Sequence, residues 1–327
     1  MISVIVPVYN GEHYLKEALA SLASQTFEDF ECICVDDGST DASPDIVNEI
    51  ARVDKRFRLV RQANQGVAAA RNNGLSRARG EFVSFLDQDD MLASNAFEMQ
   101  YKILAESGVD VVASGIQEVN GNSKNTEISA CKTSRTAVSL TPFEDFFNLH
   151  DGNRVDVDAW GKMYRRRAID GIHFPVGVFG ADDYVFSYRV FSRISSYARI
   201  ADRLYLYRMH ESNVTTRMPM KFIMGTLRSR EIVWNELTDN LSAERKGCLK
   251  QISQSFAYDI MSWAIKKTCR GNYRDSELAE LREYVKRLVS NRVLQFRSVS
   301  DRLKCSLFVN GNMTALRVLF PKQFKQP

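Results

Sequence analysis

Four short apolar runs rich in β-branched residues punctuate the first ninety positions: Ser3–Val8, Glu31–Val35, Arg58–Arg61 and Phe82–Leu86. Between them apolar residues recur at helical spacing over Tyr14–Gln25, Pro44–Asp54 and Gly66–Arg79. Strands alternating with helices of this length predict βαβ units, hence an α/β fold with a mostly parallel sheet and helices on both faces. Ligands of such sheets bind beyond the carboxyl ends of the strands, which directs attention to the residues following each run. The pattern continues with a helix near Asn95–Ser107 and a strand near Asp110–Ser114. A polar stretch, Asn120–Arg135, then reads as a loop or irregular hairpin, and residues 142–217 mix short strands, helices and turns. From about Met218 the periodicity is helical, over Phe222–Glu236, Ala243–Lys267 and Ser276–Ser290, before a less regular tail. No internal repeat or low-complexity linker interrupts the chain. The expected division is a catalytic domain over 1–217 and a helical region over 218–327.

Composition narrows the class. With 44% hydrophobic and 26% charged residues the chain is ordinary for a globular protein, which excludes a largely disordered one. No stretch approaches the roughly 18 consecutive apolar residues of a membrane-spanning helix. The first apolar run has no basic segment ahead of it, so it reads as a buried strand rather than a secretory signal. The six cysteines are scattered; Cys32 and Cys34 share one face of a strand and form no CxxC pair, so free thiols in a reducing, cytoplasmic compartment are expected.

The net charge of +4 conceals an asymmetry. Residues 1–217 carry 24 Lys/Arg against 30 Asp/Glu, whereas residues 218–327 carry 20 against 10. From Lys286 onward nine basic residues face a single acid, Asp301. A basic end of this kind suits an anionic partner such as the inner face of a membrane, and equally a solvated helical face. Val289, Val293, Leu294, Phe296, Leu303, Leu307 and Phe308 can supply an apolar face there, for a membrane, for the catalytic domain or for a second copy of the chain.

Candidate chemistry sits at the strand ends. Asp87-Gln88-Asp89-Asp90 follows the fourth run, and alternation along a strand end lets Asp87 and Asp89 point toward one ligand. Two carboxylates so placed can hold a hard divalent cation, Mn²⁺ or Mg²⁺, that keeps waters and takes phosphate oxygens. A helix cap is the plainer reading, but a cap needs one acid, not three. Asp36 in Asp36-Asp37-Gly38-Ser39-Thr40-Asp41 can hydrogen-bond a base or ribose, or merely shape an Asp–Gly turn. Tyr9 can stack on a nucleobase or pack in the core. Arg71 lies on the helix opened by Gly66, where its guanidinium can meet a diphosphate or a surface acid.

Taken in order, Pro7-Val8-Tyr9-Asn10, Asp36-Asp37-Gly38-Ser39-Thr40-Asp41, Asn64-Gln65-Gly66 with Arg71-Asn72, and Phe85-Leu86-Asp87-Gln88-Asp89-Asp90 resemble the family 2 glycosyltransferases. The resemblance is dense over roughly the first 120 residues. It implies a GT-A fold, one nucleotide-binding α/β domain, expected here as a donor half (1–115) and an acceptor half (116–217), to which the periodicity adds the helical C-terminal extension. It also implies an inverting, metal-dependent transferase acting on a nucleotide sugar, usually a UDP-sugar. By that analogy Tyr9 and Asp36 bind the base, with Pro7, Asn10 and Gln88 among the donor-binding positions. Arg71 lies near the donor, Asp87 faces sugar or ribose, and Asp89 holds the metal.

A thinner match covers Asp158-Ala159-Trp160-Gly161-Lys162-Met163-Tyr164, which resembles the segment preceding the family's acceptor-site acid and places Trp160 and Lys162 on the acceptor side. The acid itself is expected as Glu-Asp; here Asp182-Asp183 puts Asp where Glu is usual and aligns Asp183 with the base. A helix N-terminus favouring acids is the alternative, and both can hold at once. Tyr207-Arg208-Met209-His210 resembles a segment whose His or Arg contacts the departing diphosphate, though His210 can equally be a hydrogen-bonded structural residue. The implied acceptor is a saccharide or lipid-linked saccharide, as in bacterial surface polysaccharide or glycolipid assembly.

Two rivals remain on the sequence. A sugar-nucleotide nucleotidyltransferase would share the sheet and acids, but its triphosphate loop wants basic residues, and Tyr9-Asn10-Gly11-Glu12-His13 has one acid and no Lys or Arg. A non-catalytic nucleotide-sugar-binding protein would not need Asp183. Nucleic-acid binding is disfavoured because the candidate ligand face is acidic.

Overall fold

The computed structural model describes residues 1–121, 136–147, 157–239, 248–260, 265, 268–269, 273–291, 293–296 and 298–320. Most of the polar stretch Asn120–Arg135 and much of the helix expected over Ala243–Lys267 lie outside them. In chain order the first elements are β1 (Ile2–Val8), α1 (Leu15–Ala23), β2 (Phe30–Asp36), α2 (Ser43–Val53), β3 (Phe57–Arg61), α3 (Val67–Arg77) and β4 (Phe82–Phe85). There follow β5 (Met91–Leu92), α4 (Ala96–Ser107), β6 (Val111–Asn120), β7 (Thr136–Ser139), α5 (Pro142–Phe147), β8 (Lys162–Arg165), α6 (Arg166–Ile169), α7 (Asp182–Phe191), β9 (Tyr197–Met209) and α8 (Val214–Arg217). The remaining helices are α9 (Met220–Asp239), α10 (Cys248–Asp259), α11 (Asp275–Ser290), α12 (Val299–Val309) and α13 (Met313–Leu319).

One sheet runs in the order β3-β2-β1-β4-β8-β6-β9-β5, with β7 also on β9. The βαβ half, β3-β2-β1-β4, is parallel throughout, as right-handed crossovers through helices require. Beyond it β8 runs antiparallel to both β4 and β6, and β9 runs parallel to β6, so the whole sheet is mixed. Alternate residues of β2 divide between its faces. Cys32 and Cys34 join a core containing Leu15, Leu19, Leu22, Phe97 and Leu104 of α1 and α4, while Ile33 and Val35 pack with Ala70 of α3. Helices therefore cover both faces. The two cysteines are free thiols with sulfurs 3.7 Å apart.

α3 approaches the sheet closely because it carries small residues where it meets β1. A Cβ added at Gly74 would lie 2.5 Å from Ile5 Cγ2. Gly66, with φ +91, opens the helix in a conformation that L side chains rarely adopt.

The described residues fall into two compact units. The first lies within Met1–Phe146, Val155–Gly177 and Asp182–Arg217, and the second lies within Val178–Ala181 and Met218–Pro327, with Phe147. The second has its own helical core, built by Ile223, Leu227, Phe256, Leu281, Val285, Leu288, Phe308 and Leu316. The tail after Ser290 is more regular than its sequence suggests. Ser298 caps α12 by accepting from Asp301 N, and Asn312 caps α13 by accepting from Ala315 N. Of the apolar residues considered there for an external face, Val293, Leu294, Phe296, Leu307 and Phe308 pack into this unit's own core. Val289 and Leu303 remain exposed, as do Val299, Val318 and Leu319. Among the described residues no helix is long and apolar enough to cross a membrane.

Candidate active site

The carboxyl ends of β1, β2 and β4 are tied to one another by side chain–backbone hydrogen bonds. Gln88 accepts from Tyr9 N at 2.8 Å and donates to Tyr9 O at 3.1 Å, which fastens the β1 loop to the β4 loop. Its amide occupies the space that Gly11 leaves, since a Cβ there would sit 2.3 Å from Gln88 Oε1. Asn10, at φ +48, donates its N–H to Ser39 Oγ and accepts from Thr40 N, fastening β1 to β2. Pro7 stays inside the buried strand, whereas the Tyr9 ring is 47% exposed at its end.

The adjacent acids of β2 have separate tasks. Asp36 is fully buried and accepts from Ser39 N at 3.0 Å and from Arg61 Nε at 3.1 Å. Asp37, which the sequence did not single out, accepts from Gln65 N, Gly66 N and Gln62 Nε2, anchoring the turn into α3. Its position before Gly38, at φ +78, was the available signal, because Asp–Gly marks turns.

Arg71 is the centre of the site. It is 3% exposed and takes three carboxylates: Nη1 donates to Asp182 Oδ2 at 2.9 Å and to Asp183 Oδ1 at 2.5 Å, and Nη2 donates to Asp87 Oδ1 at 2.8 Å. The guanidinium is thus committed to acids rather than presented to a diphosphate. Its carbon lies 5.3 Å from the centre of the Phe174 ring, and Asn72 pins the Phe174 backbone through both its N–H and its carbonyl. Burial alone would lower the Arg71 pKa, but the charges of Asp183, Asp87 and Asp182 outweigh it and hold it well above the ordinary arginine value. Three acids around one cation leave a surplus of negative charge. Burial, opposed by Arg71 and reinforced by Asp182, Asp87 and Asp158, pushes the Asp183 carboxyl well above the usual range. Burial raises Asp87 likewise, against the pull of Arg71.

A second network steadies the acids after β4. Asp90 is buried and accepts from Tyr205 OH at 2.6 Å and from Arg208 N at 2.8 Å; burial, then Asp89 and Asp87, push its pKa well up. Arg208, also buried, donates from Nε to Asp89 O at 2.8 Å and from Nη2 to Glu17 at 2.6 Å, over the Tyr14 ring. His210 Nε2 lies 3.0 Å from Asp89 Oδ2, its ring stacked on Tyr14 at 4.6 Å and its Nδ1 2.6 Å from Ser212 Oγ. Sequence reasoning met Tyr205 and Arg208 only as part of the segment around His210 and gave neither a role, because nothing local marks a buried arginine. Trp160 stacks on Tyr205 at 4.4 Å and on Tyr207 at 5.6 Å, which places it beside this network. Lys162, expected on the acceptor side, is 2% exposed, and its Nζ donates to Asp158 O.

Among the described residues no three His, Cys, Asp or Glu side chains converge as a metal cage. The donors at hand are the Asp87 and Asp89 carboxylates, each about a quarter exposed at 26% and 27%. One or two carboxylates fit a hard cation that completes its shell with water and phosphate oxygens.

The match to the family model for glycosyl transferase family 2 runs over residues 3–172, more than half of the chain. The chain belongs to that family. The matched span holds Tyr9, Asp36, Arg71, Asp87, Asp89 and Trp160, whereas Asp182, Asp183 and His210 lie beyond it. This family 2 member is 34% identical over 232 residues to the putative glycosyltransferase EpsH of Bacillus subtilis, an alignment covering 69% of this chain and 66% of EpsH. It is 30% identical over 212 residues to the poly(ribitol-phosphate) beta-glucosyltransferase of Bacillus spizizenii, covering 63% of this chain and 32% of that one. The chain therefore spans just under two thirds of one relative and about a third of the other. Among solved structures, S. aureus TarS 1-349 in complex with UDP-GlcNAc superposes with a TM-score of 0.73 at 21% identity, covering 97% of this chain and 89% of TarS 1-349. The mannosyltransferase PcManGT of Pyrobaculum calidifontis, with GDP-Man and Mn²⁺, gives a TM-score of 0.53 at 16% identity, covering 98% of this chain and 87% of that one. Both likenesses concern the fold, which is the mixed α/β, GT-A type with a helical C-terminal region.

Proposed function

We propose that the protein is an inverting glycosyltransferase that moves a sugar from a UDP-sugar to an acceptor hydroxyl. The observation that carries this reading is the shared guanidinium of Arg71, which brings Asp87, at the donor end of the sheet, beside Asp183 at the start of α7. Transfer needs those two functions adjacent: a carboxylate facing the donor and a base facing the incoming hydroxyl.

In this reading Tyr9 stacks on the base, while Pro7, Asn10 and Gln88 hold the loop that receives it, and Asp36, buried on Ser39 N and Arg61 Nε, shapes the end of β2 rather than meeting the base directly. Asp87 orients sugar or ribose hydroxyls. Asp183 removes the acceptor hydroxyl's proton as that oxygen attacks the anomeric carbon; its raised pKa makes it a stronger base. The carbon's bond to the diphosphate breaks on the opposite side, and a single displacement inverts the centre. Asp89, with Asp87, would hold Mn²⁺ or Mg²⁺, and such an ion neutralises charge on the departing diphosphate. His210, bonded to Asp89, orients that carboxylate.

The choice of UDP is supported by the UDP-GlcNAc complex of the TarS fold relative, and a role in surface polysaccharide or glycolipid assembly by the poly(ribitol-phosphate) beta-glucosyltransferase relative. Residues 1–217 form the catalytic domain in this reading, with 1–115 for donor and 116–217 for acceptor. Residues 218–327, basic and with Val299, Leu303, Val318 and Leu319 exposed beside Arg302 and Arg317, hold the enzyme against anionic lipid at the inner face of the membrane. Flotation with anionic vesicles that survives high salt unchanged would count against that attachment.

Calorimetry of UDP, GDP and dTDP, each with and without Mn²⁺, tests the donor site in wild type and Asp89→Ala. Metal-dependent binding of UDP, lost in the variant, is expected. Binding of no nucleotide by folded protein would overturn the reading.

A further inference from the structure

Arg71 reaches its three acids from a helix whose neighbours leave it no other choice. α3 is pressed onto β1 through Gly74, Phe174 lies against the guanidinium, and Asn72 holds the Phe174 backbone at 2.9 and 2.8 Å. Arg71 Nε is buried with no hydrogen-bond partner among the described residues. A buried donor left unmade is unfavourable, so the side chain's pose is dictated by the carboxylates at Nη1 and Nη2 rather than by full satisfaction of its own N–H groups. Asp183 and Asp87 sit on different elements, α7 and the end of β4, and the guanidinium is the group that touches both.

We propose that Arg71 is a positioning residue for the base: it fixes the Asp183 carboxyl group and shares its cation with Asp87, so that the donor and base sides of the site are set by one group. This rests on the glycosyltransferase reading for the role of Asp183. Facing Asp183 are Arg71 from α3, Asp87 beyond β4, Asp182 on its own helix, Asp158 ahead of β8 and Tyr164 on β8. Arg71 is the cation of that set, and loss of its charge leaves Asp183 among acids alone. A residue that merely bound the diphosphate would instead act on donor affinity.

The experiment measures UDP release from UDP-glucose and UDP-N-acetylglucosamine with Mn²⁺, water serving as acceptor, across pH for wild type, Arg71→Gln and Arg71→Lys. In Arg71→Gln the acid limb of kcat should move up by about one pH unit or more, the displacement expected on removing an adjacent guanidinium. kcat at neutral pH should fall at least tenfold while donor KM changes less than threefold. Arg71→Lys, which restores the charge without the fork, should return the limb toward wild type but recover only part of kcat. A loss confined to donor KM, with an unmoved limb, would overturn the proposal. Carbonyl-detected NMR titration of the Asp183 carboxyl in the same proteins reads the same shift without turnover. If wild type releases no UDP, the functional reading fails, while an unmoved Asp183 titration in the variants sinks this inference separately. If Arg71→Gln does not fold, the titration of Arg71→Lys decides, since a side chain without the planar fork must leave Asp183 less well held and its titration displaced upward.

Discussion

His210 and Asp89 are joined at 3.0 Å although 121 residues separate them, and the histidine ring is braced from behind by Tyr14. A carboxylate oriented this way loses little freedom when it takes a ligand. Removing such an orienting partner typically lowers metal affinity about 10–100-fold. His210→Ala should therefore weaken Mn²⁺-supported UDP binding by that factor and leave metal-free binding within about threefold of wild type. Calorimetry with and without Mn²⁺ checks it, and equal losses in both conditions would place His210 on the nucleotide itself.

Asp183→Asn should abolish most transfer while sparing donor binding, because positioned proton transfer contributes about 10²–10⁴-fold. The same change should stabilise the fold at neutral pH. The Asp183 pKa is raised in the folded state, so the ionised carboxyl is disfavoured there relative to the unfolded chain. That penalty is fully present above the raised folded value and disappears below the ordinary Asp value of about 3.9. Thermal unfolding of Asp183→Asn should show a higher midpoint than wild type at pH 8 and none of that gain as pH falls toward the ordinary value. A lower midpoint at pH 8 would contradict the sign.

The turn after β4 is held by a buried pair, Tyr205 OH to Asp90 Oδ2 at 2.6 Å. Tyr205→Phe removes the donor and leaves the oxygen buried, a loss of about 1–3 kcal/mol. Chemical denaturation should show that loss. Because Asp87 N also donates to Tyr205 OH at 3.4 Å, donor KM should rise as well.

Gly74→Ala sets two effects against each other. Alanine in a helix interior is favoured over glycine by about 1 kcal/mol. The added methyl would meet Ile5 Cγ2 at 2.5 Å, and overpacking of a tight core costs about 1–3 kcal/mol. The clash should win, lowering stability and shifting α3, and with it Arg71. A variant more stable than wild type would mean that β1 yields more easily than its packing suggests.

The βαβ half was legible because each of its strands is a compact β-branched run between helical patterns, and β1, β2, β3 and β4 fall within a residue or two of those runs. The insertion of β8 between β4 and β6 was not. Lys162–Arg165 is four residues long, and antiparallel partners chosen from distant parts of the chain leave no local trace. Tail helices α12 and α13 were hidden by weak periodicity, and their caps, Ser298 and Asn312, were the better clue. At the site, the strand-end acids were readable as acids, since Asp87, Asp89 and Asp90 within four residues exceed the one acid a helix cap needs. Which of them face a ligand was not readable. Asp36 and Asp90 look as available as Asp87 in the sequence, yet both are buried and bonded to backbone N–H groups. Burial of a charged side chain is decided by partners such as Arg61, Tyr205 and Arg208, and those come from other strands.

The ion pair between Arg71 and Asp182 closes over 111 residues of chain. A ribosome adding about 5–20 residues per second needs on the order of ten seconds to supply the second partner after the first has emerged. During that interval Arg71 has Asp87, 16 residues on, as a partner, but lacks both acids of α7. The cluster around Arg71 is thus complete only once α7, beginning at Asp182, has emerged, and a chain cut short before α7 should be a target for chaperones.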